Sequence, residues 1–318
     1  MSLIPTLVIL LNFVGVTPPS ASYMASQYAK AATYVQATSY GQAGLTVTMT
    51  PLLSTGTAQT CDMGSIETQA RQLATDAGYN VDAYATVVYV SGRGACPGVG
   101  SSTLKEPAFP GIQMRTWLWT DELHTILHET GHTMGLMHAG AKDCGAAVNT
   151  GTCTEDAAGG WLSAMSSFVY RSVGQYSAFE RSVLGWMVPF DVPAAVGSYT
   201  YTLRPIETVG EAIRIARTDG KDYWVEFRQP LSGDAYLSAK AYKTQIAGAT
   251  VWEANQPGAS YYEYVNGQRQ LDMSPDGQFG TVMGALAPTK TFDDTVNRIR
   301  IKTVSQSNGQ LTVTVTRY

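Results

Sequence analysis

Apolar positions fall into two textures along this chain. Up to about residue 190, short solid runs alternate with stripes at helical spacing. Leu7-Val8-Ile9-Leu10-Leu11 is a solid run and predicts a buried strand over 6–16. Ser20 or Ser22 then opens a helix to about Ser39, with Tyr23, Tyr28, Ala31 and Val35 near helical spacing; Gly41 and Gly44 end it. Leu45-Thr46-Val47-Thr48-Met49 alternates and predicts a second strand. Ile66, Ala70, Leu73 and Ala77 stripe a helix from Ser65 to about Ala77, and Tyr84 to Val90 reads as a third, largely buried strand. The Gly/Ser/Pro-rich stretch 91–111 is long for a structureless loop. It is expected to hold a short edge strand near Ser101–Lys105, to which an extended peptide would pair by its backbone; a plain surface loop is the equal alternative. Thr116 to Trp119 leads into a further helix, with Thr120 as cap and Asp121 and Glu122 in its first turn.

Past the Gly/Ala/Thr-rich loop 139–160, a helix over Ser177–Trp186 turns Phe179, Val183 and Leu184 inward. From about Pro189 the texture changes to short alternating strands. Asp219-Gly220, Asn266-Gly267, Asp276-Gly277 and Asn308-Gly309 mark turns between them. The two textures predict an α+β chain of two domains, 1–190 and 191–318, the second a β-sandwich. The second part holds no His and no Cys, so no chemistry is assigned to it.

Composition changes this picture little. The chain has 318 residues, 44% hydrophobic and 14% charged, enough apolar material for a large core. A net charge of −4 with no Lys/Arg cluster argues against a nucleic-acid partner. The most apolar run is broken by Asn12 and Gly15, short of the ~20 residues that span a bilayer. With Pro5 at its start and no basic residue before it, it also makes a poor signal peptide. Any signal or pro-segment is expected to lie outside this sequence.

Chemistry concentrates in His128-Glu129-Thr130-Gly131-His132-Thr133-Met134-Gly135-Leu136-Met137-His138. On a helix His128 and His132 share a face, roughly 6 Å apart along the axis, so both imidazoles reach one zinc ion. Glu129 lies beside the metal without binding it, where a general base is needed. Gly135, lacking a Cβ, lets the chain leave the helix and bring His138 back as third ligand. Three protein ligands leave a position for water, as a catalytic zinc site requires. Three of the five fixed positions are His in a chain with 4 His, so chance gives the motif on the order of one time in a million. His124 shares the face too, but it is roughly 12 Å from His132 along the axis, too far for one ion with bonds of about 2 Å. It is expected to be a packed or surface histidine. Asp143, Glu155 and Asp156 do not have the spacing of a calcium loop, and calcium has no support.

The cysteines are Cys61, Cys96, Cys144 and Cys153. None has C-x-x-C spacing, which argues against a second zinc site. Cys144 and Cys153 bracket a short loop, so disulfides Cys144–Cys153 and Cys61–Cys96 are expected, although four cysteines allow three pairings. An even count with a stapled loop favours an extracellular setting; buried thiols in a cytosolic chain are the competing reading.

The zinc motif, a later Met and an α/β region in this order resemble the metzincin zinc peptidases, and the gametolysin-type branch most. Val8-Ile9-Leu10-Leu11-Asn12-Phe13, Ala37-Thr38-Ser39-Tyr40-Gly41 and Leu184-Gly185-Trp186 add to the likeness, which covers roughly 6–190 and fades in the β-rich tail. The resemblance implies a catalytic domain with a mixed twisted sheet and long helices. It implies zinc on His128, His132 and His138, Glu129 as base, and Met165 in a turn packed beneath the zinc-bound imidazoles; on the residues alone Met165 is a core methionine. Some metzincins place a Tyr two residues after that Met to act on the transition state; this chain has Ser167 there, with Tyr170 out of register. Phe168 and Tyr170 are candidate lining of the substrate pocket. The implied protein is a secreted zinc metalloendopeptidase, a monomer without membrane insertion, acting on proteins or peptides. The alternatives are a zinc-holding binding protein for a cell-wall or matrix polymer, and a zinc hydrolase of a non-peptide amide.

Overall fold

The computed structural model describes residues 1–94, 96–167, 174–258, 260–276 and 283–318. The fold is mixed α and β, and the chain divides into two compact units, Met1–Leu136 and Met137–Tyr318.

The first unit holds β1 (Ser2–Val14), α1 (Ala21–Thr38), β2 (Ala43–Ala58), α2 (Met63–Asp76), β3 (Thr86–Val90), β4 (Gly100–Ser102), β5 (Met114–Leu118) and α3 (Leu123–Met134). Its sheet runs β2-β1-β3-β5-β4; all neighbours are parallel except β4, which lies antiparallel along β5 at the edge. The solid run Leu7–Leu11 follows from this topology. Parallel strands joined by helices are covered on both faces, so alternation is lost and all five residues are buried. Leu7, Ile9 and Leu11 pack with Ile66, Ala70 and Ala74 of α2. The alternate residues Thr6, Val88 and Thr116 face Tyr28 of α1 and Ile126 and Thr130 of α3 across a narrow internal space. The expected edge strand is present as β4. Ser20 caps α1 by accepting the Tyr23 N–H, and Asp62 caps α2 by accepting that of Ser65. Thr120 is not the cap of α3: the helix begins after Glu122, and the Thr120 hydroxyl accepts the Glu122 N–H in the preceding turn.

The second unit holds β6 (Gly140–Asp143), β7 (Thr154–Asp156), α4 (Ala178–Val183), β8 (Phe190–Asp191), β9 (Gly197–Leu203), β10 (Ala212–Ala216), β11 (Lys221–Phe227), β12 (Ala249–Asn255), α5 (Tyr261–Asn266), β13 (Arg269–Leu271), β14 (Thr291–Asp294), β15 (Ile299–Ser307) and β16 (Gln310–Arg317). Two sheets, ordered β7-β6-β13-β12-β11-β10-β8 and β14-β15-β16-β9, enclose one apolar core that includes Ile213, Val225, Val251, Ile301 and Val313. The second unit begins earlier than residue 191, the start expected for a β-sandwich. The stretch 140–156 supplies β6 and β7, and β6 pairs with β13. Asp219-Gly220 joins β10 to β11 as expected. Asn308 (φ 51°) and Gly309 (φ 70°) join β15 to β16, both left-handed as a type I′ turn requires. Asn266-Gly267 ends α5 instead of turning a hairpin, and Gly277 lies outside the described residues.

Alternation along β11 is chemical but not a matter of exposure. Tyr223, Val225 and Phe227 enter the sandwich core, while Trp224 and Glu226 turn to the opposite face and are just as buried. There Phe179 of α4 meets Trp224 edge-on, and Glu226 accepts from Arg228, the Trp252 indole and the Ala178 N–H.

At the sheet's end Glu253 is fully buried among Lys142, Arg217 and Lys221. Burial pushes its carboxyl up, but the Lys221 hydrogen bond and the three positive charges outweigh that and hold it at about 2. Against an ordinary 4.5, this amounts to about 3 kcal/mol of stability at neutral pH. A depressed carboxyl stabilises above its unfolded pKa, so the contribution is expected whole above pH 4.5 and lost as pH falls toward 2. Urea unfolding at pH 7, 4 and 2 of wild type and Glu253→Gln checks this: the gap between them should close with acid, and a gap independent of pH rules it out.

Both expected disulfides are formed, Cys61–Cys96 and Cys144–Cys153, with separations of 35 and 9 residues. Loop-closure entropy puts their contributions at about 4 and 2.5 kcal/mol. The Cys61→Ala/Cys96→Ala pair should therefore cost more stability in urea than Cys144→Ala/Cys153→Ala; the reverse order would refute the entropic account. No described helix is long and apolar enough to cross a membrane.

Candidate metal centre

Helix α3 carries two of the three candidate ligands. Ile126 and Leu127 anchor its apolar side, both essentially inaccessible to solvent. From α1, the Gln27 amide donates to the Asp121 carbonyl just before α3 begins. The helix stops at Gly135, whose φ of 114° is strained for any residue with a Cβ. The N–H groups of Gly135 and Leu136 both return to the Gly131 carbonyl, a helix ending that reverses the chain. That reversal brings His138 to the helical pair. The ligand atoms of His128, His132 and His138 lie within 4.8 Å of one another, the one such converging set of His, Cys, Asp or Glu among the described residues.

The donors suit a zinc ion. His132 Nδ1 lies 2.7 Å from the Leu136 carbonyl, which can only accept, so that nitrogen carries the proton and Nε2 is left with its lone pair. The His128 and His132 rings meet edge-on at 4.8 Å. Burial lowers the His138 pKa, which favours the neutral, ligating imidazole. A tetrahedral ion with bonds of about 2 Å holds its ligands roughly 3.4 Å apart, so small ring rotations draw the three in. His124 stands 5.9 Å from His128, centroid to centroid, and is not part of the set.

Glu129 points to the other feature of the site. It is 6% exposed. Burial pushes its carboxyl up to about 7, against the opposing hydrogen bond from Ser102. Its Oε2 has no hydrogen-bond partner among the described residues. The edge strand β4 runs directly against it. A Cβ at Gly100 would stand 2.8 Å from Glu129 Oε1 and 3.0 Å from the Thr125 methyl. A side chain at this position would push the Glu129 carboxyl aside, so glycine lets the strand's backbone pass the carboxyl at close range. Sequence spacing predicts β4 but does not reveal Gly100 or Ser102 as neighbours of Glu129; contact between a strand and a helix leaves no periodic trace.

Met165 is fully buried in a turn closed by the Ser166 N–H on the Ser163 carbonyl. Its own carbonyl accepts from the N–H of Ala139, the residue after His138, at 3.0 Å. Ser167 N–H and Oγ both reach the Ala158 carbonyl, so this hydroxyl is engaged in the turn. Phe168 and Tyr170 lie outside the described residues. The acids considered for calcium have other roles: Asp143 accepts the Gly145 N–H, Asp156 that of Ala158, and Glu155 pairs with Arg269.

No family model matches the chain, and no curated protein does. Among solved structures it is similar to a chain of a chaperone-substrate complex, at 15% identity and a TM-score of 0.33, over 57% of this chain and 33% of that one. The chain thus spans a third of that structure's length, and a likeness of this size carries no functional argument.

Proposed function

We propose that this chain is a secreted zinc metalloendopeptidase of metzincin type, similar to the gametolysins. One observation carries the reading: three imidazoles of a single eleven-residue segment converge, with a buried carboxylate next to the first of them. The mixed sheet with its antiparallel edge strand, the helix ending at Gly135 and the buried Met165 turn all accord with it. The two disulfides support the extracellular setting.

His128, His132 and His138 would hold the ion. Bound zinc lowers the pKa of a coordinated water toward about 7 and polarises the scissile carbonyl. Glu129 takes a proton from the attacking water and passes it to the leaving amine, and its uncommitted Oε2 is the atom available for both transfers. The edge of β4, antiparallel to β5 and in contact with Glu129, offers backbone groups to an extended peptide. No Ser or Cys nucleophile enters, so no acyl-enzyme forms. Metal analysis of the purified protein, with mass-spectrometric mapping of cleavages in a peptide library with and without chelator, tests the reading. One zinc per chain and chelator-sensitive cleavage are expected. Zinc without any cleaved bond would instead favour a protein that only binds.

A further inference from the structure

The third ligand stands beyond the helix that fixes the other two, so something else must hold it. We infer that Glu180, acting through Ser163, is a positioning residue for His138; the inference rests on the zinc reading above.

The connection runs through a closed ring of hydrogen bonds. The peptide joining His138 to Ala139 is planar, so fixing the Ala139 N–H fixes the plane in which the His138 Cα lies. That N–H donates to the Met165 carbonyl at 3.0 Å. The next peptide is pinned as well: the Ala139 carbonyl accepts from Ser166 Oγ at 3.1 Å and the Gly160 N–H at 3.0 Å. The turn doing the pinning is itself set by Ser163, whose hydroxyl accepts the Met165 N–H at 3.0 Å. Having accepted there, the same hydroxyl donates to the Glu180 carboxylate, 2.9 and 2.7 Å from its two oxygens.

Glu180 has little freedom to move. It is the reciprocal member of a capping box, accepting the Ser177 N–H at 2.6 Å while its own N–H donates to Ser177 Oγ. Ser177 Oγ in turn accepts from the Gln268 amide, and the Gln268 carbonyl accepts the Gly140 N–H, which closes the ring next to Ala139. Ser163, Ser177 and Glu180 are each at most 1% exposed, so water does not compete for these bonds. A Ser-x-x-Glu pattern needed only for a six-residue helix would satisfy itself at the helix. This one sends its carboxylate 17 residues back along the chain to the turn that holds the residue after His138.

The test uses the full chain and zinc alone. Zinc affinity is measured by chelator competition for wild type, Ser163→Ala, Glu180→Gln and the control Val313→Ala, which lies in the sandwich core. Visible spectra of the cobalt-loaded proteins report ligand geometry, and thermal melts report stability. Ser163→Ala is expected to weaken zinc binding about 10- to 100-fold and to alter the cobalt spectrum. Glu180→Gln, nearly isosteric, should do so less strongly, and Val313→Ala should lower the melting temperature with affinity and spectrum unchanged. If Ser163 and Glu180 variants match the wild type in affinity and spectrum while melting lower, their role is structural only and the inference falls. Should Ser163→Ala not fold, Glu180→Gln decides on the same criteria. A wild type that binds no zinc overturns the metal reading itself, a different failure from variants that bind as well as a zinc-binding wild type.

Discussion

Glu129→Gln is expected to keep one zinc per chain and to lose cleavage by roughly a hundred- to ten-thousand-fold in kcat, the usual contribution of a general base. Glutamine fills the space that Gly100 leaves open beside the carboxyl, so the β4 contact and the three histidines stay as they are. What disappears is the capacity to accept a proton. KM should change little, because the β4 edge proposed to pair with substrate is untouched. In the wild type, burial outweighs the Ser102 hydrogen bond and pushes the carboxyl up to about 7. A dication beside it favours the ionised form, so the acid limb of kcat/KM in the loaded enzyme should lie below pH 7, with activity rising as the base deprotonates. Casein digestion by metal-analysed samples of both proteins checks the first expectation. A zinc-loaded variant that digests casein at the wild-type rate would falsify the assignment of the base.

How much of this site the chain discloses depends on how local each interaction is. The convergence of the three histidines could be read because they lie within eleven residues, and helix geometry together with one glycine fixes their relation. The same geometry removes His124. Cys144–Cys153 could be read because a separation of nine residues leaves few alternatives, and Cys61–Cys96 then followed as the remaining pair. The solid run Leu7–Leu11 reported a strand covered on both faces. Where pairing is long-range, the same reasoning falls short. Nothing in Gly140–Asp143 shows that it pairs with Arg269–Leu271, some 130 residues on, so the sandwich looked as though it began near 191. The burial of charged residues is illegible for a related reason. Nothing local marks Glu226, Arg228 and Asp234 as interior, yet all three are buried, with Arg228 paired to both carboxylates. Glu180 carried a legible sign, the Ser-x-x-Glu capping pattern, but that pattern predicts a helix start and gives no notice of the bond to Ser163.

Gly135→Ala should raise the zinc Kd by a factor of up to roughly 150 and lower the melting temperature of the zinc-loaded protein more than that of the metal-free protein. At φ 114° a Cβ is strained, at a cost of about 1–3 kcal/mol. Without metal the variant relieves that strain by relaxing the helix end, at the expense of the two buried hydrogen bonds to the Gly131 carbonyl, so part of the cost already falls on the metal-free protein. His138 then moves off the face shared by His128 and His132. Binding zinc demands the convergent arrangement again, and with it the strained backbone. The rest of the penalty falls on the metal-bound state and is read as lost affinity, at about 1.4 kcal/mol per tenfold. Removing the imidazole in His138→Ala acts differently, because it deletes a ligand and no backbone adjustment restores it. Chelator competition with paired melts of metal-free and zinc-loaded protein separates the cases. If Gly135→Ala lowers both melting temperatures equally and leaves the Kd unchanged, the glycine serves the helix end alone, and the placement of the third histidine does not depend on it.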